Sequence, residues 1–372
     1  MDSCDVLIVG GGPAGSSCAW GLRQSGLDTL VIDRCKFPRN KLCGGWITPL
    51  VLEALEISPE EYACGRVLQP ITGFRLGCVE EPQVDVRYGR TISYGIKRCE
   101  FDEYLLRRCR ARIREGVSLN SLQRTSDGWI VNGDIQARLV VGAGGHFCPV
   151  SRFLGNKASS PSVVAQEIEF EMSAADAATS SIIGELPELY FCHDLRGYGW
   201  CFRKQDGLTV GLGRMDNHGL TQHFSHFLGF LKRSRNVETP AKGTLGHAYW
   251  LLGHSERKIL DDAILLVGDA AGLAYPESGE GIRPAVESGL IAAHSIISAK
   301  GDYSANRLEL YRKLLDARLH PAHNGLDAVT RLIPQSVRQV CSRPLLRNRS
   351  FCRNVVLDRW FLRVAEQPLA FG

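Results

Sequence analysis

Residues 5–33, DVLIVGGGPAGSSCAWGLRQSGLDTLVID, decide how the rest of the chain reads. Val6–Val9 is a short apolar run rich in β-branched residues, the pattern of a fully buried strand. It runs directly into Gly10-Gly11-Gly12-Pro13-Ala14-Gly15. Gly10, Gly12 and Gly15 carry the spacing of the dinucleotide fingerprint: the first glycine allows a tight turn, the second lets a pyrophosphate approach the backbone, and the third lets helix pack on strand. Ala14, Cys18, Ala19 and Leu22 then recur at helical spacing, so a helix presents its positive N-terminal end to the turn. A second buried strand, Thr29–Ile32, ends in Asp33, 23 positions after Gly10, where a carboxylate can accept both hydroxyls of an adenosine ribose. Strand, glycines, helix, strand and acid all occur in the required order. They do not distinguish a nicotinamide from a flavin dinucleotide.

At 372 residues the chain is long enough for two domains. With 44% hydrophobic and 23% charged residues it has the profile of an ordinary soluble globular protein, and a net charge of +4 gives no argument for nucleic acid. No apolar run approaches the length of a membrane span. The chain enters a strand within its first residues, which leaves no room for a signal peptide. Thirteen scattered cysteines without paired CxxC spacing predict neither zinc nor a disulfide framework, and free thiols in a reducing cytoplasm fit best.

After the second strand comes RCKFPRNKLCGGW, residues 34–46. Gly44-Gly45 reads as a turn that something approaches closely, and Cys43 on its own reads as a small buried hydrophobe. Pro38, Lys41, Cys43, Gly44 and Gly45 match PxxKxCGG, and here the chain resembles the geranylgeranyl reductase family of FAD enzymes, within the para-hydroxybenzoate hydroxylase-like flavoproteins. The resemblance implies that this loop lies beside the flavin ring, with Cys43 facing the reaction site and Arg34, Gly44 and Gly45 against the cofactor.

Residues 47–65 read as one helix with Leu50, Leu52 and Leu55 inward. Alternating patterns at Phe74 and Leu76, at Val84, Val86 and Tyr88, and at Ile92, Tyr94 and Ile96 then predict an inserted antiparallel sheet. Arg98-Cys99-Glu100-Phe101-Asp102 opens a helix, with Asp102 favourably placed in its first turn. This RxxFD start is similar to the family's, in which the arginine contacts FAD. Val117–Leu122 reads as the third parallel strand, its end, Leu122, near adenine. Asp127-Gly128 and Asn132-Gly133 signal two hairpins. Ile135–Val141 leads into Gly142-Ala143-Gly144-Gly145, where related flavoproteins read GADGxxSxxR. Ser151 and Arg152 are in register, but Gly144 replaces the aspartate. That puts direct nicotinamide binding in question and makes another electron donor plausible.

In the next region Ile168, Phe170 and Met172 alternate with Glu167, Glu169 and Glu171, a half-buried strand with the acids outward. In Gly197–Lys204 the two-residue period puts Tyr198, Trp200 and Phe202 on one face. Such a stripe is more often core than ligand wall. It matches the family's YxWxF motif, and the resemblance implies that these three line a lipid tunnel. Halogenases of the same flavin class carry a similar motif, so it does not settle the reaction. Residues 219–236 read as a helix on which His223 and His226 stand three apart without a third ligand, so no metal site is expected.

Ala263–Val267 is a further buried strand ending in Gly268-Asp269-Ala270-Ala271-Gly272, with Asp269 placed for a ribityl hydroxyl. Gly279-Glu280-Gly281-Ile282 opens a helix whose N–H groups face an electron-rich ring edge. The segment is similar to the family's GDAAGxxxPxxGEGI motif and implies FAD as the tightly bound cofactor, with Gly279, Gly281 and Ile282 among its contacts. Residues 303–320 read as another helix. The stretch 331–363 carries eight arginines and one acid, Asp358. Phe351, Val355, Phe361 and Val364 predict an amphipathic helix there, either a cap over the fold or a contact with an anionic membrane surface.

The expected architecture is α/β: a Rossmann-like FAD-binding domain with a parallel sheet (1–65, 97–155 and 255–300), an α+β substrate domain with an antiparallel sheet (66–96 and 156–254), and a helical C-terminal region (301–372). The expected function is reduction of isoprenoid carbon–carbon double bonds, with Cys43 in the reaction, Tyr198, Trp200 and Phe202 holding a prenyl lipid, and NAD(P)H or a separate donor supplying electrons. The expected location is the cytoplasm, with peripheral membrane contact if the arginine-rich stretch is not simply a cap over the fold. A flavin monooxygenase or halogenase on an aromatic or polyketide-like substrate, and a non-catalytic flavoprotein, are the alternatives.

Overall fold

The computed structural model describes residues 1–157, 162–216, 218–241, 243–254, 256–319 and 344–371. The fingerprint strand, Asp2–Val9, stands at the centre of an eight-stranded sheet. Ile135–Gly142 pairs with it in parallel on one side and Thr29–Asp33 on the other. Ile264–Leu266 and Arg112–Glu115 extend the parallel set outward. The chain therefore reverses its strand order at Val9, and crevices outside the carboxyl ends of parallel strands at such a point are where α/β sheets bind ligands. The third parallel strand is Arg112–Glu115, not Val117–Leu122. As an edge strand it is polar; Arg112 pairs with Asp2 and Asp28, and Arg114 with Asp2. Leu122 instead opens Leu122–Thr125, and the predicted hairpins join that strand to Gly128–Val131 and Gly128–Val131 to Ile135–Gly142.

The helix Pro13–Leu22 leaves the fingerprint turn and packs along Ile282–Ser298. Two glycine notches permit this. A Cβ on Gly289 would overlap the Ala14 carbonyl oxygen, and one on Gly21 would stand 2.6 Å from the Ala293 Cβ. Close approach of the two helices brings their N-terminal ends, and both glycine turns, to one place.

A seven-stranded sheet forms the second layer, in the order Leu245–Tyr249, Val163–Glu171, Gly207–Arg214, Gly197–Lys204, Glu188–Phe191, Gly73–Cys78, Val84–Arg87. It is antiparallel except where Glu188–Phe191 pairs in parallel with Gly73–Cys78. One face is sealed by Leu220–Arg235 through Phe224, Phe227, Phe230 and Leu231. Gly199 is required there, because a Cβ would meet the Phe227 ring at 2.6 Å. A three-stranded sheet of Trp46–Ile47, Ser93–Ile96 and Leu68–Ile71 joins the layers. The segment 47–65 holds two short helices, Pro49–Ala54 and Pro59–Ala63, rather than one. Glu56 lies between them at φ 52°, outside the helical region.

The helix Ala305–Leu319 packs on the first layer through Leu308, Tyr311, Leu315 and Leu319. Residues 331–343 of the arginine-rich stretch lie outside the described residues. Beyond them Cys352–Phe361 is wound as a π-helix. Its i→i+5 spacing buries Cys352, Val356, Leu357 and Phe361, whereas Val364, expected inside, lies in a turn past the end of this helix and is exposed. No helix among the described residues is long and apolar enough to cross a membrane. The described cysteines are free thiols.

Candidate functional site

A cavity of about 490 Å³ opens at the carboxyl ends of the parallel strands and continues to the face of the second sheet opposite Leu220–Arg235. Its walls include both glycine turns, the Cys43–Gly45 loop, Arg98 and the aromatic strand. Among the residues expected at the site, Gly10, Gly12, Ala14, Asp33, Arg34, Cys43, Gly44, Gly45, Arg98, Asp269, Gly279, Gly281, Ile282, Tyr198, Trp200 and Phe202 line it. Gly15 lies beneath the turn. Leu122 is not in the lining, and Val117, Ser118 and Leu119 stand where it was expected.

The three fingerprint glycines do different work. A Cβ on Gly10, at φ 118°, would stand 2.6 Å from the Ala143 carbonyl carbon, and one on Gly15 would overlap the Gly10 oxygen. Both are demanded by packing of the protein on itself. Gly12 meets only the flexible tip of Arg39, at 3.2 Å, so the surface above it faces the cavity. Asp33 accepts hydrogen bonds from the amides of Gly11 (2.7 Å) and Cys35 (2.8 Å), one on each oxygen. Each oxygen keeps a further lone pair for a hydroxyl. At the other turn Gly279 is held at φ 68° against the Tyr249 ring, and Tyr198 donates its hydroxyl proton to the Ser278 carbonyl.

Arg98 is buried and forms a bidentate pair with Asp102, 2.8 Å at each contact, while Arg39 lies 3.3 Å from the same carboxylate. Asp102 thus serves as the buried partner of two arginines, beyond the helix-start role read from the sequence. The Arg98 guanidinium also faces the Cys43 thiol. Lys41 Nζ lies 3.0 Å from His247 Nε2, which lies 3.7 Å from Asp269. Burial pushes the Lys41 ammonium and the His247 imidazole toward their neutral forms. Burial alone would raise the Asp269 carboxyl, but His247 and the Lys41 charge outweigh it and hold it below the usual carboxylate range.

The residue that sequence reading missed is Glu167. It is only 2% exposed, although its neighbours Glu169 and Glu171 point to solvent as expected. The Cys43 amide donates to its Oε1 (2.9 Å) and the Trp200 indole N–H to its Oε2 (3.0 Å). One glycine makes the second bond possible. Gly211 is paired with Glu167 on one side and with Trp200 on the other. The indole lies across the strand at Gly211, where a Cβ would overlap its six-membered ring, and so reaches the acid two strands away. Burial pushes the Glu167 carboxyl up to about 7 against the opposing Lys204 charge. Lys204 is itself buried, 3.4 Å from Glu169 and tucked beneath Gly45. Two glycines in a strand, Gly211 and Gly213, were the available signal that something crosses it closely.

Gly44 seats the loop on the aromatic wall: a Cβ there would lie 3.3 Å from Phe202 and 3.5 Å from Trp200. Phe361 of the π-helix closes the wall, 5.5 Å from Tyr198 and 6.0 Å from Trp46 between ring centres. His223 and His226 are exposed on the outer helix, remote from this lining, and His226 faces Glu80.

Residues 8–49 match the model of an NAD(P)-binding Rossmann-like domain. The digeranylgeranylglycerophospholipid reductase 1 of Methanothermobacter thermautotrophicus is 28% identical over 334 residues, covering 83% of this chain and 81% of the relative. Over most of its length the chain is similar to the geranylgeranyl reductase family of FAD-dependent oxidoreductases. A menaquinone reductase of Mycobacterium tuberculosis is likewise 28% identical, over 80% of this chain and 77% of that protein. Among solved structures, a geranylgeranyl bacteriochlorophyll reductase-like protein of Thermoplasma acidophilum superposes with a TM-score of 0.72 at 20% identity, covering 94% of this chain and 88% of that one. A flavin-dependent brominase superposes with 0.71 at 15% identity, over 97% and 93%. These two likenesses establish the fold. The open surface above Gly12, the spare lone pairs of Asp33 and the N-terminal end of Ile282–Ser298 fit a flavin dinucleotide.

Proposed function

We propose that this chain is a reductase that saturates carbon–carbon double bonds of an isoprenoid lipid. One observation carries the reading: the Cys43-Gly44-Gly45 loop and the Tyr198, Trp200, Phe202 wall meet in the cavity that both glycine turns enter. The names of the relatives in the archaeal reductase group support the same substrate class.

In this reading Gly10, Gly12, Ala14, Gly15, Asp33 and Arg34 hold the adenosine and pyrophosphate end of FAD. Asp269, Gly279, Gly281 and Ile282 hold the ribityl chain and ring edge, with Gly44, Gly45 and Arg98 alongside. Bound FAD, once reduced, supplies the hydride. An isolated alkene has no carbonyl to polarise, so the chain's own task is to position the double bond and exclude water. Tyr198, Trp200 and Phe202 press the prenyl chain into place, and Cys43 packs against the reacting carbons or gives up a proton there. Gly144 offers no carboxylate at the position where related flavoproteins carry aspartate, which favours an electron donor other than directly bound nicotinamide. Arg349 and Arg353 are exposed just ahead of and on the helix that carries Phe361, an arrangement suited to drawing substrate from an anionic membrane surface.

The test is to photoreduce the holoprotein without oxygen, mix it with a geranylgeranyl lipid, and follow flavin reoxidation together with the product mass. Reoxidation with a gain of two hydrogens per bond supports the reading. Reoxidation only on admission of oxygen, coupled to an oxygenated or halogenated product, would select the monooxygenase or halogenase alternative.

A further inference from the structure

We infer that Glu167 is the acid that supplies the proton completing the reduction, with Trp200 and the Cys43 amide holding its carboxyl in line. The inference rests on the reductase reading and goes beyond it, because that reading leaves the proton source open between packing and donation by Cys43.

The geometry favours this acid. Its two oxygens each accept one N–H, from the loop and from the aromatic wall, so the carboxyl is fixed between the two surfaces that enclose the substrate. It lines the cavity yet is closed to bulk water. The charged groups that face it are Lys204 on the aromatic strand and Glu169 on its own strand, while the loop presents the Cys43 amide. The Lys204 ammonium is placed to favour the carboxylate left after proton release. Cys43, by contrast, turns its thiol toward the Arg98 guanidinium. Burial sets the Glu167 carboxyl at about 7, so near neutral pH it both holds and releases a proton.

Glu280 is the other buried acid of the cavity, also raised to about 7 by burial. Its surroundings are Arg283, Glu287 and Arg363, and its Oε1 accepts from the Arg283 amide. It sits beside the ionic network of Arg283, Glu287, Glu366 and Arg363 that ties Ile282–Ser298 to the C-terminal segment. It makes no contact with the loop or the aromatic wall comparable to that of Glu167.

The step balances simply. The hydride pair reaches one alkene carbon. The π electrons of the double bond form a new C–H bond at the other carbon with the carboxyl proton, the O–H bond of Glu167 breaks, and its electron pair remains on the carboxylate. Solvent returns the proton after product leaves.

The experiment compares wild-type, E167Q, E167D and E280Q holoproteins in anaerobic single turnover with a geranylgeranyl lipid, from pH about 5.5 to 9. Wild-type reoxidation should slow as pH rises through about 7. E167Q should be slower by about a hundredfold and lose that inflection, E167D should recover part of both, and E280Q should keep the inflection. A second readout is independent of turnover: infrared difference spectra of holoprotein should show a protonated-carboxyl band that titrates near neutrality and is absent in E167Q. Full rate and an unchanged profile in E167Q, or an inflection that moves only in E280Q, would overturn the inference. Each variant is first checked for bound flavin absorbance and melting temperature, and an unfolded E167Q hands the decision to E167D and the infrared band. Failure of wild-type protein to reduce any prenyl lipid would instead sink the reductase reading, while the infrared band would still report the acid.

Discussion

The amide of Cys43 and the indole of Trp200, 157 positions apart in the chain, donate hydrogen bonds to opposite oxygens of one carboxylate. The loop next to the first nucleotide layer and the wall of the second sheet are therefore set relative to one another by Glu167, and not only by apolar packing.

Cys43 is then expected to shape the reaction rather than to set its pH dependence. A Cys43→Ala holoprotein should lose about tenfold or more in single-turnover rate and retain the inflection near 7. An unaltered rate would remove Cys43 from the reaction.

The three fingerprint glycines should separate by experiment. Gly15→Ala forces the Gly10 carbonyl aside and should destabilise the chain by about 1–3 kcal/mol or more. Gly12→Ala displaces only the Arg39 tip and should fold with a normal melting temperature while weakening FAD binding by about tenfold or more. Flavin fluorescence titration alongside urea unfolding measures both. Equal melting temperatures with equal FAD affinity would contradict this division of roles.

Asp102 is fully buried between Arg98 and Arg39. Asp102→Ala leaves Arg98 buried without its partner and should cost about 3–5 kcal/mol in urea unfolding. A loss below about 1 kcal/mol would mean that the pair is solvated in solution.

Glu167 and Glu280 also predict how stability depends on pH. Burial raises both from 4.5 to about 7, so in that window the folded chain keeps protons that the unfolded chain has released. Their contribution is complete below pH 4.5 and is lost as pH rises through about 7, on the order of 3 kcal/mol for each. The buried histidines act in the opposite sense, so the measurement is a difference: the urea midpoint of wild type should fall relative to E167Q and E280Q between pH 5 and 8. A constant gap would show that the carboxyls are already ionised at the lower pH.

Phe361 closes the aromatic wall from the π-helix. Phe361→Ala should cost about 3 kcal/mol of stability and move the preference between prenyl lipids of different length by about tenfold in kcat/KM. An unchanged ratio would place the chain end elsewhere.

Local patterns carried most of the fold. Gly10, Gly12, Gly15 and Asp33 are legible because turn, helix and strand must follow one another within a short stretch, and the same holds for Asp269 to Ile282. The aromatic alternation of Tyr198, Trp200 and Phe202 placed all three on the cavity. What escaped depends on distant partners. Glu167 alternates like a solvent-facing acid, and its burial comes from Cys43 and Trp200 closing over it. Arg112–Glu115 is too polar to read as a sheet strand, because at an edge its arginines are neutralised by Asp2 and Asp28. Val364 was placed inside by extending a helical period past Phe361, where the helix ends.

Gly211 has a bearing on how this lineage can diversify. Any larger side chain there occupies the space of the Trp200 ring and separates the indole from Glu167. Positions 167, 200 and 211 are thus expected to change together or not at all, and a relative that has lost the glycine should also have given up the tryptophan or the acid. For anyone redesigning the substrate range, the residue to leave untouched is the one with no side chain.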